Sequence, residues 1–396
     1  MKTMTAQHGR LTGRALLVLS VTAGSAIANN YAMQPALSVI AADFGVGLAP
    51  MTAVISGAII GYLIGLVLLV PLADRLSPRA LIPGQFFALA LSLALAAWAP
   101  SPDVLIGCFV LIGAATTVAA QSSAVVGKFA DARRRALSMA AISAGISAGI
   151  LLSRFVGGLL VQWCGWRAAL MVLAAFTAVC GLCVLPLLPT QRPAAQTGYF
   201  STLCALPALV RQSKELRLRI CAGMLWFFAF NLIWVGLAVR LAAPPYKLNA
   251  ANIGLYSLAG LLGLVMTRIA GGLADRFGNR RVIVCGLLCA SIAAGALAML
   301  LDHAPATLVA LALFDAGCFT AQVANQAGVV AIDPSRSGVL NSAYLFFYYG
   351  AGAMGTALAG TLAMSSGWEA TALLAAFTTA AAAMLVADMR RSSRAR

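Results

Sequence analysis

Residues 70–82 read VPLADRLSPRALI and residues 271–283 read GGLADRFGNRRVI. Each copy stands where one long apolar stretch ends and the next begins. The echo continues downstream. Asp131, Arg134, Gly158 and Trp166 return as Asp333, Arg336, Gly360 and Trp368, each at an offset of 202. A repeat that long inside one apolar chain implies two homologous halves.

The chain has 396 residues, 61% of them hydrophobic and 10% charged, with a mean hydropathy of +0.92. A soluble domain carries roughly 25% charged residues, so this composition describes a polytopic membrane protein. A spanning helix needs ~20 mostly apolar residues, and twelve candidates fit, at about 15–40, 50–70, 81–99, 103–126, 136–161, 168–188, 219–242, 252–272, 282–301, 305–330, 336–361 and 370–388. Backbone inside lipid must bond within helices, which predicts an all-α fold. The first segment follows a short basic tail (Lys2, Arg10, Arg14). It is longer than the apolar region of a cleavable signal and reads as a retained helix.

A net charge of +16 suggests nucleic acid until its distribution is examined. With twelve spans and both ends on one face, the termini and the loops of that face hold 22 of the 27 Lys and Arg. The opposite loops hold Arg167, Arg240 and Lys247, and Arg154 and Arg268 fall inside spans. That asymmetry is the positive-inside pattern. It predicts a multi-pass membrane protein with both termini cytoplasmic, its basic loops facing lipid headgroups rather than nucleic acid. The cysteines are scattered through apolar segments. Cys180 and Cys183 form a C-x-x-C with no His nearby, so neither a disulfide framework nor a metal site is expected.

The largest interruption, 189–218, runs from a Pro-flanked start to the charged RQSKELRLR. Tyr199, Leu203, Leu206 and Leu209 recur in it at near-helical spacing, which predicts a surface amphipathic helix. The chain thus divides into an N-terminal six-helix bundle (1–188), a cytoplasmic linker (189–218) and a C-terminal six-helix bundle (219–396). Duplicated halves with a path between them are a common plan of secondary transporters.

Twelve spans, the duplication, the central linker and the doubled loop resemble the major facilitator superfamily. Its loop signature is G-x-L-A-D-R-x-G-R-[RK]. Gly271 to Arg280 fits at every position but one, where Asn279 replaces Arg. The first copy keeps Leu72, Ala73, Asp74, Arg75 and Arg79 but has Val70 and Ser77 for the glycines and Pro78 for an arginine. The resemblance implies that Asp74, Arg75, Arg79, Asp275, Arg276 and Arg280 belong to loops that latch one gate. A carboxylate there can pair with loop arginines or cap a helix end. A static topology anchor is the other reading.

A closer resemblance is to the bacterial drug:proton antiporter branch and its arabinose-efflux-permease-like members. It is carried by Tyr31-x-x-Gln34-Pro35-x-Leu37 with Asp43-Phe44-Gly45-Val46, by Arg154-x-x-Gly157-Gly158 before Gly165-Trp166-Arg167, and by Tyr344 to Gly350 before Gly367-Trp368. Two departures stand out. Ser153 and Arg154 occupy the G-P positions of the helix 5 signature, and helix 4 lacks the arginine many antiporters carry there.

Ionisable residues within spans are costly and so are functional candidates. Asp315 is the one acid well inside a span, and Phe319, Gln322 and Gln326 share its helical face. It reads as a proton carrier or as a structural carboxylate. Arg154 meets an anionic substrate or coupling partner, snorkels outward, or ties helices 5 and 8 together. Arg268 reads as part of the gate. Asn30, Gln34, Gln121, Asn231, Gln322 and Gln326 are candidate cavity amides, since amides facing lipid are expensive. Trp226 and Tyr344 read as interfacial anchors.

With only His8 and His303, no metal-spacing cluster and no phosphate loop, the chain is not expected to be an enzyme. The expectation is a transporter that works as a monomer without a cofactor, on a proton gradient. It moves a small organic molecule by alternating access, by proton-coupled efflux first and by uptake of a small organic anion second. A non-transporting sensor is the remote alternative.

Overall fold

The computed structural model describes residues 13–129, 135–190, 210–211, 213–333 and 337–393. The protein is an all-helical membrane protein of twelve passes. Span 1 is Gly13–Ala28 continued by Leu37–Asp43, span 2 is Leu48–Leu68, span 3 is Pro78–Ala97, and span 4 is Pro102–Thr116 with Val118–Phe129. Spans 5 and 6 share the long helix Arg135–Val184, which turns at Gly165. Span 7 is Lys214–Ala242, and span 8 is Ala250–Tyr256 and Leu261–Phe277 joined by a 3-10 turn, Ser257–Gly260. Spans 9 to 12 are Asn279–Leu300, Ala304–Ala331, Ser337–Ser365 and Gly367–Ser393. Among the described residues nine helical stretches are long and apolar enough to cross a membrane, and one of them, Ala144–Leu187, contains two passes. Large apolar side chains face outward where lipid would lie, with Ile292 74%, Met299 83% and Phe377 67% exposed.

Spans 1, 4 and 8, expected to be continuous, are broken, and in spans 1 and 4 side chains take up the released backbone groups. Span 1 opens after Ala28, where Asn29 Nδ2 bonds back to the Ser25 and Ala26 carbonyls at 3.0 and 3.2 Å and Pro35 lacks an N–H. In span 4 the helix pauses at Thr117. Gln85 of span 3 donates to the Ala115 carbonyl at 3.0 Å and to Thr117 Oγ1 at 2.8 Å, satisfying groups the pause releases. Span 7 begins at Lys214, five residues before the expected start, with Ser213 capping Leu216 N–H at 3.1 Å. The amphipathic segment expected around 199–210 lies almost wholly outside the described residues.

One backbone feature recurs at the offset of the sequence repeat. Gly165 and Gly367 take φ of +78° and +85° at the turns from span 5 to 6 and from span 11 to 12. Only glycine adopts that conformation without strain. Small residues set the close packing inside the first half. Gly145 and Gly149 of span 5 lie against the Ser20 and Gly24 carbonyls of span 1, where a Cβ would collide with backbone.

Two ends of the molecule are distinguishable. One carries the repeated loops after spans 2 and 8 and is called here the basic end; the other is the far end. At the far end of the first half, Asp43 Oδ2 accepts from Trp166 Nε1 at 3.1 Å and pairs with Arg167 at 3.2 Å. Arg167 also donates to the Ala97 and Ala99 carbonyls at 2.9 and 3.1 Å. Two motifs read separately in the sequence are therefore one clamp on spans 1, 3 and 6.

Candidate functional site

The two halves meet along spans 2 and 11 and along spans 5 and 8. At the far end Gly158 of span 5 lies under the Ala250 carbonyl of span 8, and Gly360 of span 11 lies against Ala49 and Thr52 of span 2. Nearer the middle Tyr62 and Tyr349 face each other with centroids 4.5 Å apart. From Asp315 toward the basic end, the side chains on its face pass from buried to half-buried at Phe319, Gln322 and Gln326. The seam is closed at the far end and loosens toward the basic end.

Arg154 is buried to 3% exposure at this seam. The helix runs straight through Ser153 and Arg154, with Ser153 Oγ bonded back to the Ile150 carbonyl at 2.8 Å. The side chain does not snorkel and does not bond span 8. Its Nε donates to Gln34 Oε1 of span 1 at 2.5 Å. Its guanidinium carbon lies 4.9 Å from the Tyr31 ring, 4.8 Å from Trp234 and 5.9 Å from Phe230. Such cation–π contacts are worth about 2 kcal/mol when desolvated.

Asp315 is fully buried in the other half. Its Oδ1 accepts from Trp234 Nε1 at 3.0 Å, while Oδ2 rests against Gly260 of the 3-10 turn in span 8. A side chain at position 260 would strike this carboxylate, so the turn leaves room for it. Trp234 thus stands between the one buried cation and the one buried acid among the described residues, face to the first and edge to the second. Four buried polar atoms around it have no hydrogen-bond partner: Arg154 Nη2, Gln34 Nε2, Asp315 Oδ2 and Asn231 Oδ1. They are four of eleven such atoms among the described residues, and a buried polar group without a partner calls for a water, an ion or a ligand.

Aromatic rings continue from this centre. Phe230 contacts Trp234, Phe314 and Phe319 at 6.4, 6.5 and 5.7 Å. Phe227 stacks on Tyr348 at 3.8 Å.

The other candidate amides sit elsewhere. Asn30 accepts from Thr116 of span 4 at 3.1 Å, and Gln121 donates to the Leu69 carbonyl at 2.7 Å, where span 2 ends. Asn231 donates to the Phe227 carbonyl of its own helix at 2.8 Å. Gln322 accepts from the Tyr344 hydroxyl at 3.3 Å, and Gln326 donates to Asn341 at 2.9 Å, tying span 10 to span 11. Arg154 and Gln34 are therefore brought to Asp315 through Trp234, while Gln121, Gln322 and Gln326 lie nearer the basic end. Trp226 and Tyr344 are not interfacial: both are buried, because the aromatic column of spans 7 and 11 gives them ring partners and Tyr344 an amide partner. The one signal for Trp234 in the sequence was its spacing from Phe227 and Phe230 on one helical face.

At the basic end Asp275 and Arg268 are exposed, and Asp275 bonds to no described residue. Arg276 lies over Phe277 at 5.2 Å. Arg280 donates through Nε to the Val386 carbonyl at 3.1 Å and through Nη2 to that of Ala387, fastening span 9 to span 12. In the first copy the Arg79 backbone N–H meets the Pro189 carbonyl at 3.3 Å, at the equivalent corner. The side chains of Arg75 and Arg79 are exposed, and that of Asp74 lies outside the described set.

A cleft of about 550 Å³ opens at the far end of the second half, among Arg240, Tyr246, Asp302, Trp368 and Glu369. Tyr246 donates to Asp302 there, and burial pushes its phenol above the usual range. No group of His, Cys, Asp and Glu suited to a metal ion exists among the described residues.

The family model described as Major Facilitator Superfamily matches residues 19–356 and again 219–395. The Putative uncharacterized transporter YgaY of Escherichia coli (strain K12) is 30% identical over 375 residues, 94% of this chain and 95% of its own length. The Gentisate transporter of Corynebacterium glutamicum is 28% identical over 345 residues, 82% of this chain and 74% of its own. Among solved structures, a mutant of the nucleoside transporter NupG superposes with a TM-score of 0.78 at 14% identity, covering 95% of this chain and 99% of that one.

Proposed function

The chain belongs to the major facilitator superfamily, and from that premise we propose that it is a proton-coupled carrier in which Asp315 takes up and releases the proton. The protein is a secondary transporter of a small molecule, not an enzyme. We assign it to the bacterial inner membrane with the basic end in the cytoplasm, where its loop arginines favour it. Its two six-helix halves would rock about the central seam, exposing it to each side in turn. The latch residues Asp74 and Asp275 would engage when the basic end closes, and Asp275 has no partner among the described residues while that end is loose.

The observation that carries this reading is Asp315 itself, fully buried, with one oxygen held by Trp234 and the other unpartnered. A carboxyl so placed gains most from binding a proton, and the seam gives it an exit. In proteoliposomes an imposed pH gradient should drive solute flux in the parent protein and not in Asp315→Asn. Equal pH-driven flux in that variant overturns the assignment.

Two directions of coupling are open to such a protein. The resemblance at spans 1, 5 and 11 favours export in exchange for protons. The Arg154 Nη2 donor, buried at the seam without a partner while Nη1 bonds the Ile150 carbonyl, favours a small organic anion travelling with the proton. The name of the gentisate relative points to the same class of solute. The geometry weighs toward the second. An anion on Arg154 is opposed by a charged Asp315 and not by a neutral one, so proton and anion help each other to bind. Solute addition that drags protons in the same direction supports it, and release of lumenal protons selects export.

A further inference from the structure

We propose that Arg154 and Gln34 form a receptor for the carboxylate of a small hydroxylated aromatic acid, and that this receptor is filled while Asp315 holds a proton. The inference rests on the reading of Asp315 as the proton-carrying group and adds the substrate class and the order of binding.

The donors come first. Arg154 Nε and Gln34 Oε1 are bonded at 2.5 Å, which sets the guanidinium and the amide side by side. The groups left over, Arg154 Nη2 and Gln34 Nε2, are both donors, both buried and both without partners. They sit on side chains 3% and 1% exposed, on two different spans of the first half. A carboxylate presents two acceptor oxygens at a spacing that adjacent donors can share. Neither a cation nor an uncharged acceptor-poor solute satisfies that pair.

The surroundings select the body of the solute. Tyr31, Trp234 and Phe230 line the guanidinium, and Phe227 and Tyr348 extend the same wall. A flat ring packs against such walls in offset or edge-on contact. Asn231 Oδ1, three residues from Trp234 on the same span, is a buried acceptor without a donor. A ring hydroxyl would supply that donor. The pattern, two donors at one end and an acceptor along an aromatic wall, describes a hydroxybenzoate-like molecule.

The order of binding follows from charge. Around the Asp315 carboxyl the charged and titratable groups are Arg154 from span 5, with Tyr31 of span 1 beyond it, and Cys318 on its own span, which borders Cys289 of span 9. Span 7 contributes the uncharged Trp234, and span 8 contributes Gly260. Arg154 is thus the only cation among the described residues available to either carboxylate. Ionised, Asp315 competes with the solute for its field; protonated, it leaves Arg154 uncompensated and receptive.

The test measures binding to the full-length purified protein at pH 5.5 and 8.0 by calorimetry. The probes are benzoate and 2,5-dihydroxybenzoate, with benzyl alcohol and tetraphenylphosphonium as the neutral and cationic comparators. Expected is aromatic acid binding at least tenfold tighter at pH 5.5 than at pH 8.0, with the hydroxylated acid the better ligand. Asp315→Asn should bind at both pH values with the acidic affinity of the parent. Arg154→Gln should lose binding at least tenfold at both, and Gln34→Leu, which leaves the charge in place, at least threefold. Benzoate affinity unchanged in Gln34→Leu and Arg154→Gln, or equal binding of benzyl alcohol or the phosphonium, overturns the receptor. Persistent pH-driven flux in Asp315→Asn overturns instead the proton reading beneath it, and the two failures are separate measurements.

Discussion

Gly158 and Gly360 hold equivalent posts in the contact between the halves, one under the backbone of span 8 and the other against the start of span 2. Their offset of 202 is the offset of the sequence repeat. At each, the nearest atoms include a main-chain carbonyl that cannot move aside. Closing the far end therefore depends on two missing side chains. Gly158→Leu and Gly360→Leu should each hold that end apart, at an overpacking cost of about 1–3 kcal/mol. Transport should fall at least tenfold. A cysteine at Ala251, in a background lacking the native cysteines, should gain reactivity to an impermeant maleimide from the far side. Gly350→Ala, where a Cβ meets nothing within 4 Å, should change neither. Unaltered labelling in both leucine variants would sink the idea that this seam closes the far end.

Asp315→Asn separates proton coupling from solute movement. The amide keeps an oxygen for the Trp234 N–H but cannot exchange a proton at physiological pH. Solute counterflow without a gradient should persist within about threefold, since it needs only the rocking of the halves. Accumulation against a solute gradient should vanish. A variant that still accumulates solute shows that the proton travels by another group.

The fold was legible because its main determinants are written one-dimensionally. Span number follows from apolar length, and the internal repeat is written in the doubled loops at Asp74 and Asp275 and in pairs such as Gly158 and Gly360. The candidate site was legible in part. Arg154 and Asp315 stand out because a charge in a span is rare. Gln34 stands out as an amide within a span, but its pairing with Arg154, and that of Trp234 with Asp315, does not, since they lie 120 and 81 residues away and meet only after the helices pack. Trp226 and Tyr344 were misread for a related reason. Composition cannot tell an aromatic at the headgroup level from one in a ring column. The break in span 4 was also hidden, because Gln85, which satisfies it, belongs to another helix.

The two arginines of the second loop copy should behave differently. Arg280 bonds the Val386 and Ala387 carbonyls of span 12 and so ties span 9 to it. Arg280→Ala should destabilise the second half by about 1–2 kcal/mol, a typical worth for a charged donor bonded across helices. Arg276 is exposed over Phe277. Arg276→Ala should stay within about 0.5 kcal/mol of the parent. Thermal melts in detergent read both. Asp275→Asn should leave the melt unchanged and slow transport severalfold if Asp275 latches the closed basic end. A melt lowered as far as that of Arg280→Ala would make Asp275 a structural anchor instead.

Trp234 offers the sharpest dissection, because its two contacts use different parts of the ring system. The N–H serves Asp315 at 3.0 Å, and the face serves Arg154 at 4.8 Å. Trp234→Phe removes the first and keeps an aromatic face. The ionised carboxyl then loses a hydrogen bond of about 1.5–3 kcal/mol, while the protonated form loses less. The pH at which transport is half-maximal should move to the alkaline side by about 1 unit or more, at about 1.4 kcal/mol per unit. Benzoate affinity at acidic pH should change little. Trp234→Leu removes the face as well, exposing one side of Arg154, so the anion affinity should now drop. A pH profile identical in Trp234→Phe and the parent would mean that the indole N–H does not tune the proton site. An equal loss of anion binding in Phe and Leu variants would mean that the ring only fills space.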